Sequence, residues 1–203
     1  MSGIAFIVSA PSGSGKTTLC KMAADRFPDL RISVSYTTRK PRHGEVNGVD
    51  YWFVDEDTFA GMVERGEFLE YADVYGKRYG TSRKDLEDLL EKGVSVILEI
   101  DVQGAAKVRE RLDGGVFVFV LPPSLKAAEE RLIARGKDTT EEIRRRLGIA
   151  AGEIKRAVEY DYMIINDDLR RAFEEFSAVI TAEKSRSSRM AGKLKELFGG
   201  LVG

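Results

Sequence analysis

The chain has 203 residues, a length that suits one α/β domain with inserted subdomains, and 43% of its residues are hydrophobic, which excludes a disordered chain. Its 32 Lys and Arg residues nearly balance 33 Asp and Glu residues, for a net charge of -1. This balance excludes the global basic charge of a nucleic-acid binder, so any site for a polyanion must be local.

The apolar runs of the chain are too short for a membrane span. The longest of them, such as 116–121, fall far below the roughly 20 residues that cross a bilayer, and no basic region precedes the first apolar segment. We therefore expect a cytoplasmic protein with no membrane partner. The single cysteine, Cys20, cannot form an internal disulfide, and we interpret it as a small buried helix residue rather than a nucleophile.

The loop between the first predicted strand, Ile4–Ser9, and the first predicted helix, Lys16–Arg26, is Gly-rich. It matches the phosphate-binding pattern G-x-x-x-x-G-K-[ST], except that alanine replaces the first glycine. In such a loop, backbone N–H groups at a helix N-terminus surround the phosphates, the lysine contacts the outer phosphates and the hydroxyl ligates Mg²⁺. An ordinary strand-to-helix turn is the alternative, but it would not need the Gly-Lys-Thr ending. The predicted ATP-binding loop consists of Ala10, Pro11, Ser12, Gly13, Ser14, Gly15, Lys16, Thr17 and Thr18.

A second strand is predicted at Arg31–Tyr36, which completes the opening βαβ unit of a doubly wound fold. The polar stretch 37–50 then leads to the apolar segment 51–54. A helix is predicted from about Thr58 to Arg65, where Gly66 ends it. This middle section is interpreted as an inserted unit.

The rest of the chain returns to alternating helices and strands, which is typical of a parallel sheet. Capping signals mark the starts of two helices, at Ser82 and Thr139, and another helix starts at Ser124 after two prolines. The predicted elements are a helix 82–91, a strand 94–101, a helix 104–112, a strand 116–121, a helix 124–135, a basic helix from Thr139, a strand 162–165 and terminal helices 169–176 and 185–198.

Two carboxylates, Glu99 and Asp101, lie at the end of the predicted central strand and on the same face of it. Ligands of parallel sheets bind beyond the carboxyl ends of the strands, so these carboxylates and the Gly-rich loop are predicted to meet at one edge. Asp101 resembles the acidic residue that positions Mg²⁺ in P-loop enzymes, usually through water. The alternative, polar residues at a strand end paired with nearby Arg or Lys, stays open for both.

Seven segments resemble the guanylate kinase family, in order and over most of the chain. They are Ser35–Arg42, Gly44–Tyr51, Glu70, Tyr79–Thr81, Ile97–Gly104, Leu121–Ser124 and Ile165–Asp167. The resemblance implies Mg²⁺-dependent transfer of the γ-phosphoryl group of ATP to GMP, and to dGMP, giving ADP and GDP. It also implies a P-loop NTPase-type doubly wound parallel sheet with an inserted GMP-binding subdomain and a helical lid. The implied single domain divides into a core (1–34, 83–124 and 160–203), a GMP-binding insertion (35–82) and a lid (125–159).

The resemblance also implies how GMP is held. Arg39, Arg42, Tyr51 and Tyr79 would bind its phosphate, since guanidinium and phenol groups match phosphate oxygens. Glu70 would accept the N1–H and N2–H protons of guanine, and the hydroxyls of Ser35 and Thr81 would complete the contact to the base. Without the surrounding motifs, the two arginines would fit a solvated surface loop equally well, and Glu70 would be interpreted as an acidic surface residue. The GMP-binding set is Ser35, Arg39, Arg42, Tyr51, Glu70, Tyr79, Thr81, Glu99 and Asp101.

Further residues are implied on the ATP side. Arg131, Arg135 and Arg146 resemble the lid arginines that contact ATP and the transferring phosphoryl group, and Asn166 resembles a residue near the adenine ring. The implied catalytic set is Lys16, Arg39, Arg135 and Arg146, and the implied Mg²⁺ site is Thr17 with Asp101, directly or through water.

Two other functions stay open from the sequence. One is a noncatalytic protein-interaction module, although such modules typically lose P-loop or substrate residues and this chain keeps them. The other is a P-loop kinase with a different acceptor, for which the base-reading set around Glu70 would have no purpose. ATP and GMP are the expected partners, and we expect a monomer or a small homo-oligomer.

Overall fold

A computed structural model of the chain describes residues 3–74, 76–136 and 139–199. The strands are β1 (Ala5–Ser9), β2 (Leu30–Ile32), β3 (Tyr36–Thr37), β4 (Trp52–Phe53), β5 (Phe68–Val74), β6 (Lys77–Ser82), β7 (Ser95–Glu99), β8 (Val116–Leu121) and β9 (Tyr162–Ile165). The helices are α1 (Lys16–Arg26), α2 (Glu56–Glu64), α3 (Arg83–Glu91), α4 (Val102–Arg111), α5 (Leu125–Arg135), α6 (Thr140–Lys155), α7 (Leu169–Lys184) and α8 (Ser187–Phe198), with a short 3₁₀ turn at Arg156–Glu159.

The larger sheet has five parallel strands in the order β2-β7-β1-β8-β9 and forms the middle layer of the fold. Alternate residues of β1 face opposite sides, as the two-residue period of a strand requires. Phe6 and Val8 pack with α1 and α7, whereas Ala5 and Ile7 pack with α3 and α4. Both faces are therefore covered by helices, and the predicted doubly wound α/β fold is confirmed.

The smaller sheet, in the order β4-β3-β6-β5, lies in the predicted insertion. Helix α2 packs on it through Phe59 and Met62, which contact Phe68 of β5 in a separate small core. The rings of Phe59 and Phe68 stack with their centroids 4.6 Å apart. This section therefore has a sheet and a hydrophobic core of its own.

Two differences from the sequence prediction lie in this section. The single strand predicted at Arg31–Tyr36 is wrong, because Leu30–Ile32 pairs with β7 whereas Tyr36–Thr37 pairs with β6 and β4. The hairpin of β5 and β6 carries no strand prediction, although Glu70 lies in it. Its register shifts between Phe68 and Glu70, which interrupts the alternation that a strand prediction needs.

Three helices begin close to their predicted starts, whereas α2 and α4 each begin two residues earlier than predicted. Ser82 and Ser124 accept hydrogen bonds from the N–H groups of Asp85 and Ala127, and Thr139 forms a complete capping box with Glu142. Helix α7 runs to Lys184, well past the predicted end at residue 176, since Phe176 and Ile180 continue its buried face.

Cys20 is fully buried in α1, as predicted, and burial raises the pKa of its thiol well above the ordinary value. A neutral thiol in such surroundings is a poor nucleophile. Among the described helices, none has the length and apolar character needed to cross a membrane.

Candidate active site

The Gly-rich loop joins β1 to α1 in the conformation that its glycines allow. Gly13 and Gly15 have φ angles of 83° and 87°, in the left-handed region that side chains disfavour. A Cβ atom at Gly13 would lie 2.6 Å from the carbonyl oxygen of Ala128, and one at Gly15 would lie 2.4 Å from the amide nitrogen of Asn166. Ala10, which replaces the first glycine of the pattern, is partly buried against the core. Both remaining glycines are therefore required by conformation and by space.

Two residues predicted near ATP hold this loop in place. The Asn166 amide donates to the carbonyl oxygen of Ser14 at 2.7 Å. Arg131 donates to the same oxygen at 3.4 Å and to the backbone oxygen of Asn166 at 2.8 Å. Asn166 follows β9 and Arg131 lies on α5, so the loop conformation depends on segments more than 100 residues further along the chain.

The loop forms one wall of a cavity of about 670 Å³. All the predicted ATP-binding residues line it, together with two predicted catalytic arginines, Arg135 and Arg146, and two apolar residues without a sequence prediction, Leu132 and Leu169. Leu169 stays half exposed at the start of α7, and its position just after Asn166 is the only signal that could have pointed to it. The lining combines loop backbone, cations and apolar surface, which suits a nucleoside triphosphate.

The acidic residues at the end of β7 take different positions. The Thr17 hydroxyl donates to Glu99 Oε2 at 2.8 Å. Asp101 is the N-cap of α4, where its Oδ1 atom accepts a hydrogen bond of 2.7 Å from the N–H group of Gly104. The strand predicted to reach Asp101 therefore ends at Glu99, because Asp101 begins a helix instead. The assignment of Thr17 and Asp101 to a metal stays a prediction.

A second cavity of about 430 Å³ lies between the larger sheet, the insertion and α6. Seven of the nine predicted GMP-binding residues line it, namely Ser35, Arg42, Tyr51, Glu70, Tyr79, Glu99 and Asp101. Lys16 and Arg146 line both cavities, which therefore meet at these two cations. Eight residues of its lining had no predicted site role: Ala72, Asp73, Val74, Ile100, Val102, Gln103, Ile149 and Glu153.

The other two predicted GMP-binding residues, Arg39 and Thr81, are not in the cavity lining. Arg39 forms a two-pronged ion pair with Glu45, with both N···O distances at 2.9 Å, and lies 5.3 Å from the ring centroid of Tyr51. This pairing holds the pKa of Glu45 below its ordinary value. Glu45 had no predicted role, and its place six residues after Arg39 in a loop gave no signal of the pairing.

Glu70 is only 3% exposed, and its Oε1 atom accepts a hydrogen bond of 2.7 Å from the Thr81 hydroxyl. Burial raises its pKa to about 7; the nearby Asp101 charge acts in the same direction, whereas Thr81 and Lys107 lower it. Gly104 makes room for this side chain, since a Cβ atom there would lie 2.7 Å from Glu70 Oε2. A buried carboxylate of this kind can accept several hydrogen bonds, so it is suited to accepting them from a ligand.

The raised pKa of Glu70 predicts a pH-dependent cost in stability. The folded value of about 7 lies above the ordinary 4.5, so the penalty is absent below pH 4.5, grows as pH rises and is complete above about pH 7. Glutamine carries no charge and so avoids this penalty. The free energy of unfolding of Glu70→Gln minus that of wild type should therefore increase by up to about 3 kcal/mol between pH 4.5 and pH 8. Urea unfolding without nucleotide measures this difference. Glu91→Gln, exposed on α3, is the control, and a pH-independent effect of Glu70→Gln would contradict the prediction.

The chain is similar to known proteins over nearly its whole length. A sequence model of the guanylate kinase family matches residues 3–183. The guanylate kinases of Geobacter metallireducens and Geobacter sulfurreducens are each 50% identical over 196 residues, covering 97% of this chain and 97% of each relative. That of Clostridioides difficile is 45% identical, covering 97% of this chain and 96% of the relative. The crystal structure of guanylate kinase from Anaplasma phagocytophilum has a TM-score of 0.76 and 36% identity, covering 96% of this chain and 94% of that one.

These matches extend over the larger sheet, the insertion and the helices that follow it. Identity of about half over nearly the full length of both chains confirms the resemblance that the sequence motifs indicate. The solved structure confirms the fold independently. The chain therefore belongs to the guanylate kinase family of enzymes.

Proposed function

We propose that this enzyme transfers the γ-phosphoryl group of ATP to GMP, and to dGMP, giving ADP and GDP. The observation that carries the proposal is the meeting of two cavities at Lys16 and Arg146. One cavity is lined by a phosphate-binding loop and the other contains a buried carboxylate, Glu70. Two nucleotides bound there would have their phosphates next to each other, which is the arrangement that direct transfer requires.

On the ATP side, we assign the phosphates to the loop Ala10–Thr18. Its backbone N–H groups at the start of α1 and the Lys16 ammonium would bind them. Arg131 and Asn166 hold the loop through the Ser14 carbonyl and line the same cavity. Their proposed role thus includes preorganising the loop as well as contacting ATP.

The residues beside Thr17 fit a magnesium ion. The Thr17 hydroxyl, Glu99 and the neighbouring Asp101 supply hard oxygen donors of the kind that Mg²⁺ prefers, directly or through water. We propose Thr17 and Asp101 as the residues that hold it, and the Thr17–Glu99 hydrogen bond supports adding Glu99. When bound, the ion would neutralise charge on the ATP phosphates.

On the GMP side, we assign the phosphate to Arg39, Arg42, Tyr51 and Tyr79. Glu45 supports this arrangement, because it accepts hydrogen bonds from the Arg39 guanidinium and from the Arg42 backbone N–H at 2.6 Å. This pairing fixes the plane of the Arg39 guanidinium, and its Nε–H and its other Nη2–H would contact the phosphate oxygens.

The base would be read by Glu70, with Ser35 and Thr81. Guanine presents two adjacent donors, N1–H and N2–H, whereas adenine presents an acceptor at N1. Thr81 occupies one oxygen of the buried Glu70 carboxylate. An adenine nucleotide would set an acceptor against this carboxylate, and sites built on buried hydrogen bonds discriminate by about 10⁴ or more.

The proposed chemistry needs no covalent enzyme intermediate and no strong base, because the GMP phosphate is already an anionic nucleophile. Its rate would come from alignment and from positive charge around the transferring group. We assign that charge to Lys16, Arg39, Arg135 and Arg146.

These residues come from three proposed units of the single domain: the core (1–34, 83–124 and 160–203), the insertion (35–82) and the lid (125–159). Residues 1, 2, 75, 137, 138 and 200–203 of these units lie outside the described residues.

A panel of acceptors tests the proposed reaction. Mg-ATP is incubated separately with GMP, dGMP, AMP, CMP, UMP and a phosphorylated pentose, and ADP and the phosphorylated product are quantified. We expect product from GMP and dGMP at least about 10³-fold faster than from the others. Turnover of another acceptor would discard the assignment of Glu70, and tight GMP binding without turnover would indicate a noncatalytic module instead.

A further inference from the structure

Strand β5, which carries Glu70, lies at the edge of the smaller sheet. One side of β5 pairs with β6, and backbone groups on the other side need partners from elsewhere. The register shift between Phe68 and Glu70 also leaves Leu69 without an opposite residue. The position of Glu70 therefore depends on what holds the free side of β5.

Helix α4 supplies those partners from the core of the molecule. Lys107 Nζ donates to the Tyr71 carbonyl oxygen at 2.5 Å, and an Arg111 guanidinium nitrogen donates to the Leu69 carbonyl oxygen at 2.8 Å. The two carbonyl groups flank Glu70 on either side. Lys107 also lies 4.9 Å from the ring centroid of Tyr71.

A third contact lies on the same face of α4. Gly104, Lys107 and Arg111 are spaced i, i+3 and i+7, so one stripe of the helix faces β5. At Gly104 the stripe leaves just enough room for Glu70 Oε2. The N-cap of α4, Asp101, lies two residues after the end of β7. The stripe therefore connects β5, which carries Glu70, to the edge of the larger sheet where the Gly-rich loop lies.

We propose that Lys107 and Arg111 are positioning residues for guanine recognition, which hold the Glu70 backbone at the distance and angle that the base requires. This inference rests on the proposed function of Glu70. Neither residue lines the cavity of about 430 Å³, so both act through β5 rather than on the substrate. Lys107 also acts on the carboxylate by charge, since it lowers the Glu70 pKa against the effects of burial and of Asp101.

The insertion has other attachments that keep it folded without this stripe. It has its own core of Phe59, Met62 and Phe68, and the N–H group of Arg83 at the start of α3 donates to the Glu67 carbonyl oxygen at 2.9 Å. Loss of the Lys107 and Arg111 hydrogen bonds should therefore loosen the position of Glu70 without unfolding the insertion. That separates a positioning role from a purely structural one.

The test is base discrimination in the full-length enzyme. Lys107→Met, Arg111→Met and the double variant keep apolar stems but lose the donors; Lys193→Met, exposed on α8, is the matched control. Initial rates with GMP and with IMP, which lacks the 2-amino group, give kcat/KM for each base. For the double variant we expect the KM for GMP to rise about 10-fold and the GMP-to-IMP ratio to fall about 10-fold, with the KM for Mg-ATP unchanged.

Several outcomes decide the proposal. The conservative variants Arg111→Lys and Lys107→Arg keep a hydrogen-bond donor and should keep most of the wild-type ratio of kcat/KM for GMP over IMP. A double variant whose GMP-to-IMP ratio stays within twofold of wild type would overturn the proposal. Equal rises in the KM values for GMP and for Mg-ATP, together with lowered thermal stability, would also overturn it. If the double variant is too unstable to assay, the same criterion applies to the single variants. A wild-type enzyme that shows no preference for GMP would instead refute the proposed function itself.

Discussion

Replacing Lys16 with alanine is expected to lower turnover by at least about 10³-fold, equivalent to about 4 kcal/mol of transition-state stabilisation, with less than a threefold change in GMP affinity. Lys16 lines both cavities at their junction, and its ammonium lies 3.4 Å from the Ile100 carbonyl oxygen at the end of β7. In this position its charge would act on the transferring phosphoryl group. The base and phosphate of GMP would be held by other residues, so its binding should be nearly unchanged.

Steady-state kinetics with saturating Mg-ATP and calorimetric titration of GMP measure the two quantities separately. Lys21→Ala is the matched control, because Lys21 is exposed on the same helix, α1, and lines neither of the two cavities. We expect this variant to keep wild-type turnover. A Lys16→Ala enzyme with near-normal turnover and weakened GMP binding would reverse the assignment of the two cavities.

Replacing Glu70 is expected to act mainly on GMP rather than on turnover. For Glu70→Ala the apparent KM for GMP should rise by about 10² or more, with little change in the KM for Mg-ATP. The physical reason is the loss of a buried acceptor facing two guanine donors, which leaves those donors without partners. Choice of base should relax at the same time.

Glu70→Gln gives a sharper version of this test, because glutamine has the same shape but offers one acceptor and one donor. Its donor would oppose guanine N2–H but would match the O2 acceptor of xanthine. We expect the ratio of kcat/KM for XMP over GMP to rise about 10²-fold relative to wild type. Glu67→Gln, an exposed glutamate three residues away, should leave this ratio unchanged. No change in the ratio for Glu70→Gln would remove Glu70 from base recognition.

Local signals account for what the sequence alone predicts correctly. The apolar runs of the parallel strands, the glycines of the Gly-rich loop and the capping residues Ser82 and Thr139 each act within a few residues of themselves. Helix α1 and strand β8 accordingly have the bounds that the sequence predicts. The family motifs add the expected site residues, most of which line the two cavities.

Two of the predictions that failed involve choices between distant partners. A run such as Arg31–Tyr36 has strand character throughout, but only the competing edges of β7 and β6 decide that it divides between two sheets. Asp101 suits a strand end or a helix cap equally well by type, and the packing of α4 selects the cap.

The sequence by itself thus determined the fold class and the Gly-rich loop between the first strand and the first helix, and it indicated the residues that we propose to bind the two nucleotides. Only the tertiary structure decided which partners those residues have: Glu45 for Arg39, Glu99 for Thr17, and α4 for the strand that carries Glu70. The reason is that turns, caps and apolar periodicity depend on neighbouring residues. Pairing across 36 or 82 positions of chain depends on how whole layers pack, which no short pattern contains.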